Sequence, residues 1–213
     1  MEVKKYLGFG FESNVYLIKS EKIAIIDTGT GFYSKNLMDD LRKEINLEEI
    51  EYIILTHEHF DHCGGAKELK EFSNSKIIAH ENSSYILEGG INISASFFNA
   101  VQPKIEIDLK VKGGEIINLG DIDLKIFHTP GHSKGGICIY EKNSKSLFSG
   151  DTVFADGNVG RTDFFGGDFE ELKRSIKMLR SLEIKNLYPG HGEYIIGNGG
   201  KHVAMAEKML DKF

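Results

Sequence analysis

The chain is 213 residues long, with 26 basic and 32 acidic side chains and a formal net charge of −6. A length of this order fits one domain, here spanning 1–213, and 40% hydrophobic with 27% charged residues is the make-up of an ordinary soluble globular protein. The acidic balance gives no support to broad binding of nucleic acid or anionic membrane.

Residues 14–19 and 22–26 read as two strands joined by a hairpin turn at Ser20-Glu21. The second strand runs into the loop Asp27-Thr28-Gly29-Thr30-Gly31, and 33–46 has helical spacing with Leu37, Leu41 and Ile45 on one face. A short buried strand at 52–55 follows, then a helix at 66–72 after Gly64-Gly65, a strand at 77–79 and a helix at 81–88. Residues 89–104 carry no readable pattern. Strands are expected at 105–111, 115–119 and 122–127, and two more at 136–140 and 146–149 flank the hairpin turn 141–145. The helix at 168–181 is amphipathic, with Leu172, Ile176 and Leu179 inward; a strand at 186–188 and a helix at 201–212 complete the chain. Each half thus gives strands first and helices after. Two sheets face to face, with helices on both outer faces, would bury all of these apolar faces.

Cys63 and Cys138 are too few for a disulfide framework. The first six residues lack the apolar core of a secretory signal, and no apolar run nears the ~20 residues that span a bilayer. The cytosol is therefore the expected compartment.

The densest chemistry lies in Thr56-His57-Glu58-His59-Phe60-Asp61-His62, where three histidines and two carboxylates follow the apolar run Ile53-Ile54-Leu55. Imidazole and carboxylate are the ligands that zinc and iron accept most readily. Side chains alternate along an extended chain, so His57 and His59 point the same way, while Asp61 and His62 follow as the chain turns. One loop therefore offers ligands to two adjacent metal ions. Three further strand ends carry a ligand type beside a Gly or Pro: His132 in Thr129-Pro130-Gly131-His132-Ser133, Asp151 in Ser149-Gly150-Asp151-Thr152, and His191 in Tyr188-Pro189-Gly190-His191-Gly192.

Taken in this order, T-H-E-H-F-D-H, T-P-G-H-S, S-G-D-T and Y-P-G-H-G resemble the motifs of the metallo-β-lactamase fold superfamily, in its glyoxalase II-like hydrolase branch. Ile26-Asp27-Thr28-Gly29 is similar to that superfamily's first motif, and the likeness runs from about Asn14 to His191. The resemblance implies an α/β fold, a four-layer αββα sandwich of two mixed sheets, with the metal site in a cleft at one edge of the sheets. It implies that His57, His59 and His132 bind a first ion, that Asp61, His62 and His191 bind a second, and that Asp151 bridges them. True β-lactamases of this fold usually have a cysteine at the place of Asp151 and are exported, so the resemblance points away from antibiotic hydrolysis. The implied cofactor is a pair of divalent ions, zinc first, with iron or manganese also fitting the ligand set.

Two ions ~3.5–4 Å apart share one water and lower its pKa toward ~7, which makes a hydroxide nucleophile at neutral pH. The implied reaction is hydrolysis of a thioester, S-lactoylglutathione or a related small acyl compound, with Asp61 accepting or passing the hydroxide proton as it ligates. Asp27 either orients a ligand histidine through its other ring nitrogen or forms an Asx-type turn before Gly29. Gly160-Arg161-Thr162-Asp163-Phe164 matches a G-R-x-D run found in short glyoxalase II-like proteins and in persulfide dioxygenases. Arg161 there either anchors a substrate carboxylate or pairs with Asp163 to brace the loop. Only 22 residues follow His191 (213 − 191), room for one helix and not for the helical region that holds glutathione in full-length glyoxalase II.

The alternative of a different class is a mononuclear iron persulfide dioxygenase using His57, His132 and Asp151. Lactone hydrolysis and a nuclease activity rank lower. The expected partner is a small-molecule substrate, with neither nucleic acid nor membrane, and the chain is expected as a monomer or homodimer. His80 and His128 are expected as satisfied polar groups at strand ends, His202 as an exposed residue opening the last helix, Lys134 as a solvated turn residue, and both cysteines as packed core.

Overall fold

In the computed structural model, residues 1–6, 10–91 and 93–212 are described; positions 7–9, 92 and 213 of the expected 1–213 span lie outside the described residues. The chain divides into two compact units, Met1–Val111 with Leu119–Asp121, and Lys112–Asn118 with Ile122–Phe213.

The first unit carries a six-stranded mixed sheet made of β1 (Glu2–Tyr6), β2 (Val15–Lys19), β3 (Ile23–Ile26), β4 (Ile50–Ile54), β5 (Lys76–His80) and β6 (Leu109–Val111), in that spatial order. The first three strands pair antiparallel, and β3 through β6 pair parallel. The central strands are apolar on both faces, as parallel strands buried on both sides require: Ile53, Ile54, Ile77 and Ile78 are all fully buried. Among the described residues, the α-helices of this unit are α1 (Ser34–Leu41), α2 (Phe60–Cys63), α3 (Ala66–Ser73) and α4 (Glu81–Gly89). Met38, Leu41, Leu69 and Leu87 from these helices join Leu17, Ile25, Ile53 and Ile77 of the sheet in one core.

The second unit carries a five-stranded mixed sheet. It comprises β7 (Ile116–Asn118), β8 (Asp123–His128), β9 (Ile137–Glu141), β10 (Ser146–Gly150) and β11 (Asn186–Pro189), in the order β11-β10-β9-β8-β7. Only β10 and β11 run parallel. The long crossover between them contains α5 (Phe169–Leu179), and α6 (Gly199–Leu210) follows β11. The Asp168 side chain caps α5 by accepting the Glu171 N–H at 2.8 Å. Leu172, Ile176 and Leu179 of α5 and Val203 and Ala206 of α6 pack with Cys138, Leu147 and Leu187 of the sheet. Two mixed sheets flanked by helices agree with the α/β architecture expected.

Strand direction places the motifs. β3 and β4 are parallel, so Asp27 and the histidine loop leave the sheet at the same edge. β8, β10 and β11 share one direction, because two antiparallel steps separate β8 from β10. His132, Asp151 and His191 therefore all follow C-terminal strand ends at one edge of the second sheet. Among the described residues, no helix is long and apolar enough to cross a membrane.

The structure corrects several expectations. The helix expected over 33–46 stops at Leu41: the bonds shorten to Lys43 N–Asp40 O and Glu44 N–Leu41 O, and extended Asn46 opens a 3₁₀ turn by accepting the Glu48 N–H. The strand expected over 105–111 pairs only from Leu109, and β1 was not anticipated at all. Residues 93–98 form a 3₁₀ helix. His202 is buried rather than exposed, because α6 starts at Gly199 and carries it a turn inward, where its Nδ1 accepts the Asp156 N–H at 2.8 Å.

Leu172 is fully buried between helix and sheet in the second unit's core. Its truncation, Leu172→Ala, is expected to destabilise that unit by about 2–5 kcal/mol through lost burial and an unfilled cavity; a calorimetric unfolding transition unmoved from wild type would contradict this packing.

Candidate metal centre

In the first unit, the loop after β4 is organised by Asp27. This residue sits in the left-handed region at φ 57° and is almost fully buried. Its Oδ1 accepts the Thr56 N–H, and its Oδ2 accepts both the Thr56 hydroxyl and His62 Nδ1–H, each at 2.8 Å. The single hydroxyl proton of Thr56 is thereby committed to Asp27, so Thr56 Oγ1 accepts from His57 Nδ1 at 3.0 Å. Both histidines thus hold their proton on Nδ1 and carry the lone pair on Nε2, the form that ligates metal. Asp27 orienting a ligand-type histidine is one of the two readings the sequence left open.

The donor atoms converge. Those of His57 and His59, of His57 and His62, and of Asp61 and His62 lie within 4.8 Å of one another. His62 Nε2 stands 3.7 Å from Asp61 Oδ2. Main-chain bonds hold the loop's own carbonyls: Ser13 N–H donates to Asp61 O at 3.1 Å, and Thr28 N–H and its hydroxyl donate to His62 O at 2.7 and 3.0 Å. Glu58, between two histidines, accepts the Ser83 hydroxyl at 2.6 Å.

In the second unit, one oxygen lies between two imidazoles. Asp151 Oδ2 is 3.5 Å from His132 Nε2 and 3.6 Å from His191 Nε2. His132 Nδ1 donates to the Arg161 carbonyl at 2.7 Å, which again places the lone pair on Nε2. Gly160 makes that approach possible: a Cβ there would lie 2.1 Å from the Asp151 carbonyl and 2.7 Å from His132 Nδ1.

These spacings test whether the residues fit an ion. Separations of 3.5, 3.6 and 3.7 Å are too long for hydrogen bonds. Two donors each ~2.0–2.2 Å from one tetrahedral ion stand about 3.3–3.6 Å apart. The imidazole–carboxylate pairs therefore suit a shared cation better than each other. The donor clusters support a metal cofactor.

The remaining candidates lie outside these donor sets. Arg161 Nε and Nη2 donate to the two oxygens of Asp163 at 2.9 and 2.7 Å, and the guanidinium lies 4.4 Å from the Phe164 ring centroid; pairing with Asp163 is one of the two readings left open for Arg161. His80 caps α4 by accepting the Asn82 N–H, and His128 Nε2 meets the Lys134 carbonyl. Lys134 is exposed in its turn. Cys63 packs in the first core, where burial pushes its thiol well above the usual range, and Cys138 is pushed up to about 11 by burial in the second. Sequence reasoning passed over Thr56, Ser83 and Gly160. Thr56, which opens the T-H-E-H-F-D-H run, and Gly160, directly before Arg161, both stood inside recognised motifs, and Ser83 did not.

Two outcomes are expected here. Asp27→Ala removes the acceptor that orients His62 and, through Thr56, His57; metal affinity measured by chelator competition should fall about 10–100-fold. With its pKa at about 11, Cys138 is almost wholly neutral thiol at pH 8, and Cys63 is shifted the same way. Neither should react with a disulfide reagent in the native protein, and stoichiometric labelling without denaturant would contradict the burial of both.

Comparison with known proteins identifies the family. The family model described as the metallo-beta-lactamase superfamily matches residues 8–191. A probable metallo-hydrolase of Methanocaldococcus jannaschii is 38% identical over 90% of this chain and 93% of its own length. The hydroxyacylglutathione hydrolase GloC of Haemophilus influenzae is 33% identical, covering 86% of this chain and 87% of its own. Among solved structures, the BLEG-1 B3 metallo-beta-lactamase superposes with a TM-score of 0.82 at 25% identity, over 98% of this chain and 96% of that one. TTHA1623, in a di-iron-bound form, superposes with a TM-score of 0.74 at 29% identity, over 92% and 94%. With a family match across most of its length, this chain belongs to the metallo-beta-lactamase superfamily.

Proposed function

We propose that this chain is a dinuclear metallohydrolase that cleaves a small acyl thioester, S-lactoylglutathione or a related compound. In this reading His57, His59 and His132 hold one ion, Asp61, His62 and His191 hold the other, and Asp151 bridges them. The observation that carries it is the placement of Asp151 Oδ2 at 3.5 and 3.6 Å from two imidazole nitrogens, the arrangement of a carboxylate shared between ions. The donors grouped within each unit support it: His57 with His59 and His62, and Asp61 with His62, in the first, and Asp151 with His132 and His191 in the second. So do the relative named as a hydroxyacylglutathione hydrolase and the solved relative that holds two irons.

When bound, two divalent ions, zinc foremost with iron or manganese as alternatives, lower the pKa of a shared water and polarise the substrate carbonyl. The protein's own groups do the rest. Asp61, whose side chain keeps 16% of its surface open, takes the proton released as the water oxygen bonds to the acyl carbon. The C–S bond then breaks and the electron pair leaves on sulfur. A thiolate is a good leaving group near neutral pH, so no general acid is required. Asp27 and Thr56 keep His57 and His62 in one tautomer throughout.

Elemental analysis of the purified protein, paired with a panel of thioesters, lactones, a β-lactam and glutathione persulfide, tests the proposal. Two metal ions per chain and thioester turnover are expected. Turnover should be lost on chelation, restored by zinc, and abolished to background in Asp151→Ala. One ion per chain, oxygen uptake with the persulfide and no thioesterase activity would replace this reading with the iron dioxygenase, which the Gly160–Phe164 run also resembles.

A further inference from the structure

We propose that Arg161, Asp163 and Phe164 form a brace that positions His132 for metal binding, with Arg161 acting through its main-chain carbonyl. This rests on His132 being a ligand, as the proposed function has it.

The argument begins at the imidazole. A carbonyl oxygen only accepts, so the 2.7 Å contact to Arg161 O fixes the His132 proton on Nδ1 and aims the Nε2 lone pair toward Asp151 Oδ2. The ligating state of His132 therefore depends on where one peptide group of a surface loop stands. That loop holds itself still in an unusual way. The Arg161 guanidinium folds back to grip Asp163 through two bonds and lies over the Phe164 ring. The Phe164 ring in turn meets the His132 ring at 6.5 Å, edge to face. The chain of contacts begins and ends on the same imidazole: ring nitrogen to carbonyl, guanidinium to carboxylate and ring, ring to ring.

The loop's neck is closed as tightly. Gly167 N–H donates to Phe164 O at 2.9 Å, and a Cβ on Gly167 would lie 2.3 Å from the Thr162 carbonyl. Asp168 N–H then donates to Gly131 O at 2.8 Å, tying the end of the loop to the residue before His132. Arg161 and Asp163 are both 65% exposed. An ion pair so open to solvent contributes little to global stability. Its effect is local: it restricts the peptide that sets the histidine. Asp163 takes the Nε/Nη2 edge of the guanidinium, one of the edges with which it could hold a substrate carboxylate.

The test uses Arg161→Ala and Asp163→Ala, both of which keep the main-chain carbonyl, and their combination. Zinc affinity is measured by chelator competition, and the site is read by the visible spectrum of the cobalt(II)-loaded protein. Each single variant is expected to bind zinc about tenfold more weakly and to alter the cobalt bands. The double variant should be no weaker than either single one, because the two side chains act as one unit. Arg161→Lys should not rescue, since an ammonium lacks the fork. The unfolding midpoint of the metal-free variants should match wild type.

Three results would overturn the brace: unchanged zinc affinity and cobalt spectrum in both variants; a raised KM confined to Arg161→Ala, which is the mark of a substrate anchor; or a lowered midpoint that accounts for the weaker binding. Failure of the metal-centre reading looks different, because wild type would then take up no zinc or His132→Ala would keep full affinity.

Discussion

The carboxylate of Asp27 receives three hydrogen bonds from the segment that follows β4, and the geometry of the first unit's donors depends on them. A buried carboxylate is tolerated only when its lone pairs are occupied. Here the donors that occupy them are the groups whose orientation matters, Thr56 and His62. The backbone of Asp27 is held at φ 57°, a conformation that costs a non-glycine residue about 1–3 kcal/mol unless its surroundings over-determine it. Parallel pairing of β3 with β4 brings the two strand ends side by side, which is why a residue at position 27 reaches residues at 56 and 62.

The second unit solves the same problem with a different acceptor. His132 is oriented by a peptide carbonyl rather than by a carboxylate, so the control passes from an invisible main-chain atom to the side chains that steady it. The Asp151 Oδ2 stands near two imidazole nitrogens, each at a distance that suits a cation between the pair. In both units a histidine keeps its proton on Nδ1 because a fixed acceptor is there. The tautomer of each is thus set by the protein's own groups.

Much of this was legible in the sequence because strand ends announce themselves. An apolar run, then Gly or Pro, then His or Asp located His132, Asp151 and His191, and the T-H-E-H-F-D-H loop needed no structure to be noticed. What was missed has physical causes. β1 alternates Glu2, Val3, Lys4 and Lys5 with little apolar content, so no periodicity marked it. Helix α1 stops while the apolar spacing continues to Ile45, because the bonds at Lys43 and Glu44 tighten to i→i−3 and Asn46 then opens a separate 3₁₀ turn. His202 reads as polar and terminal, yet a two-residue shift in where α6 begins turns it into the core. The Arg161 carbonyl could not be found by reading side chains, since every residue type carries one.

β1 has a further consequence as the outermost strand of the first sheet. An open strand edge is a template on which another chain can add and propagate. β1 places Glu2, Lys4 and Lys5 along that edge, so an incoming strand would have to desolvate charge to pair. The other borders are blunted by length: β6 and β7 have three residues each and β11 has four. The same charged alternation that hid β1 from pattern recognition protects the folded protein from self-templated aggregation.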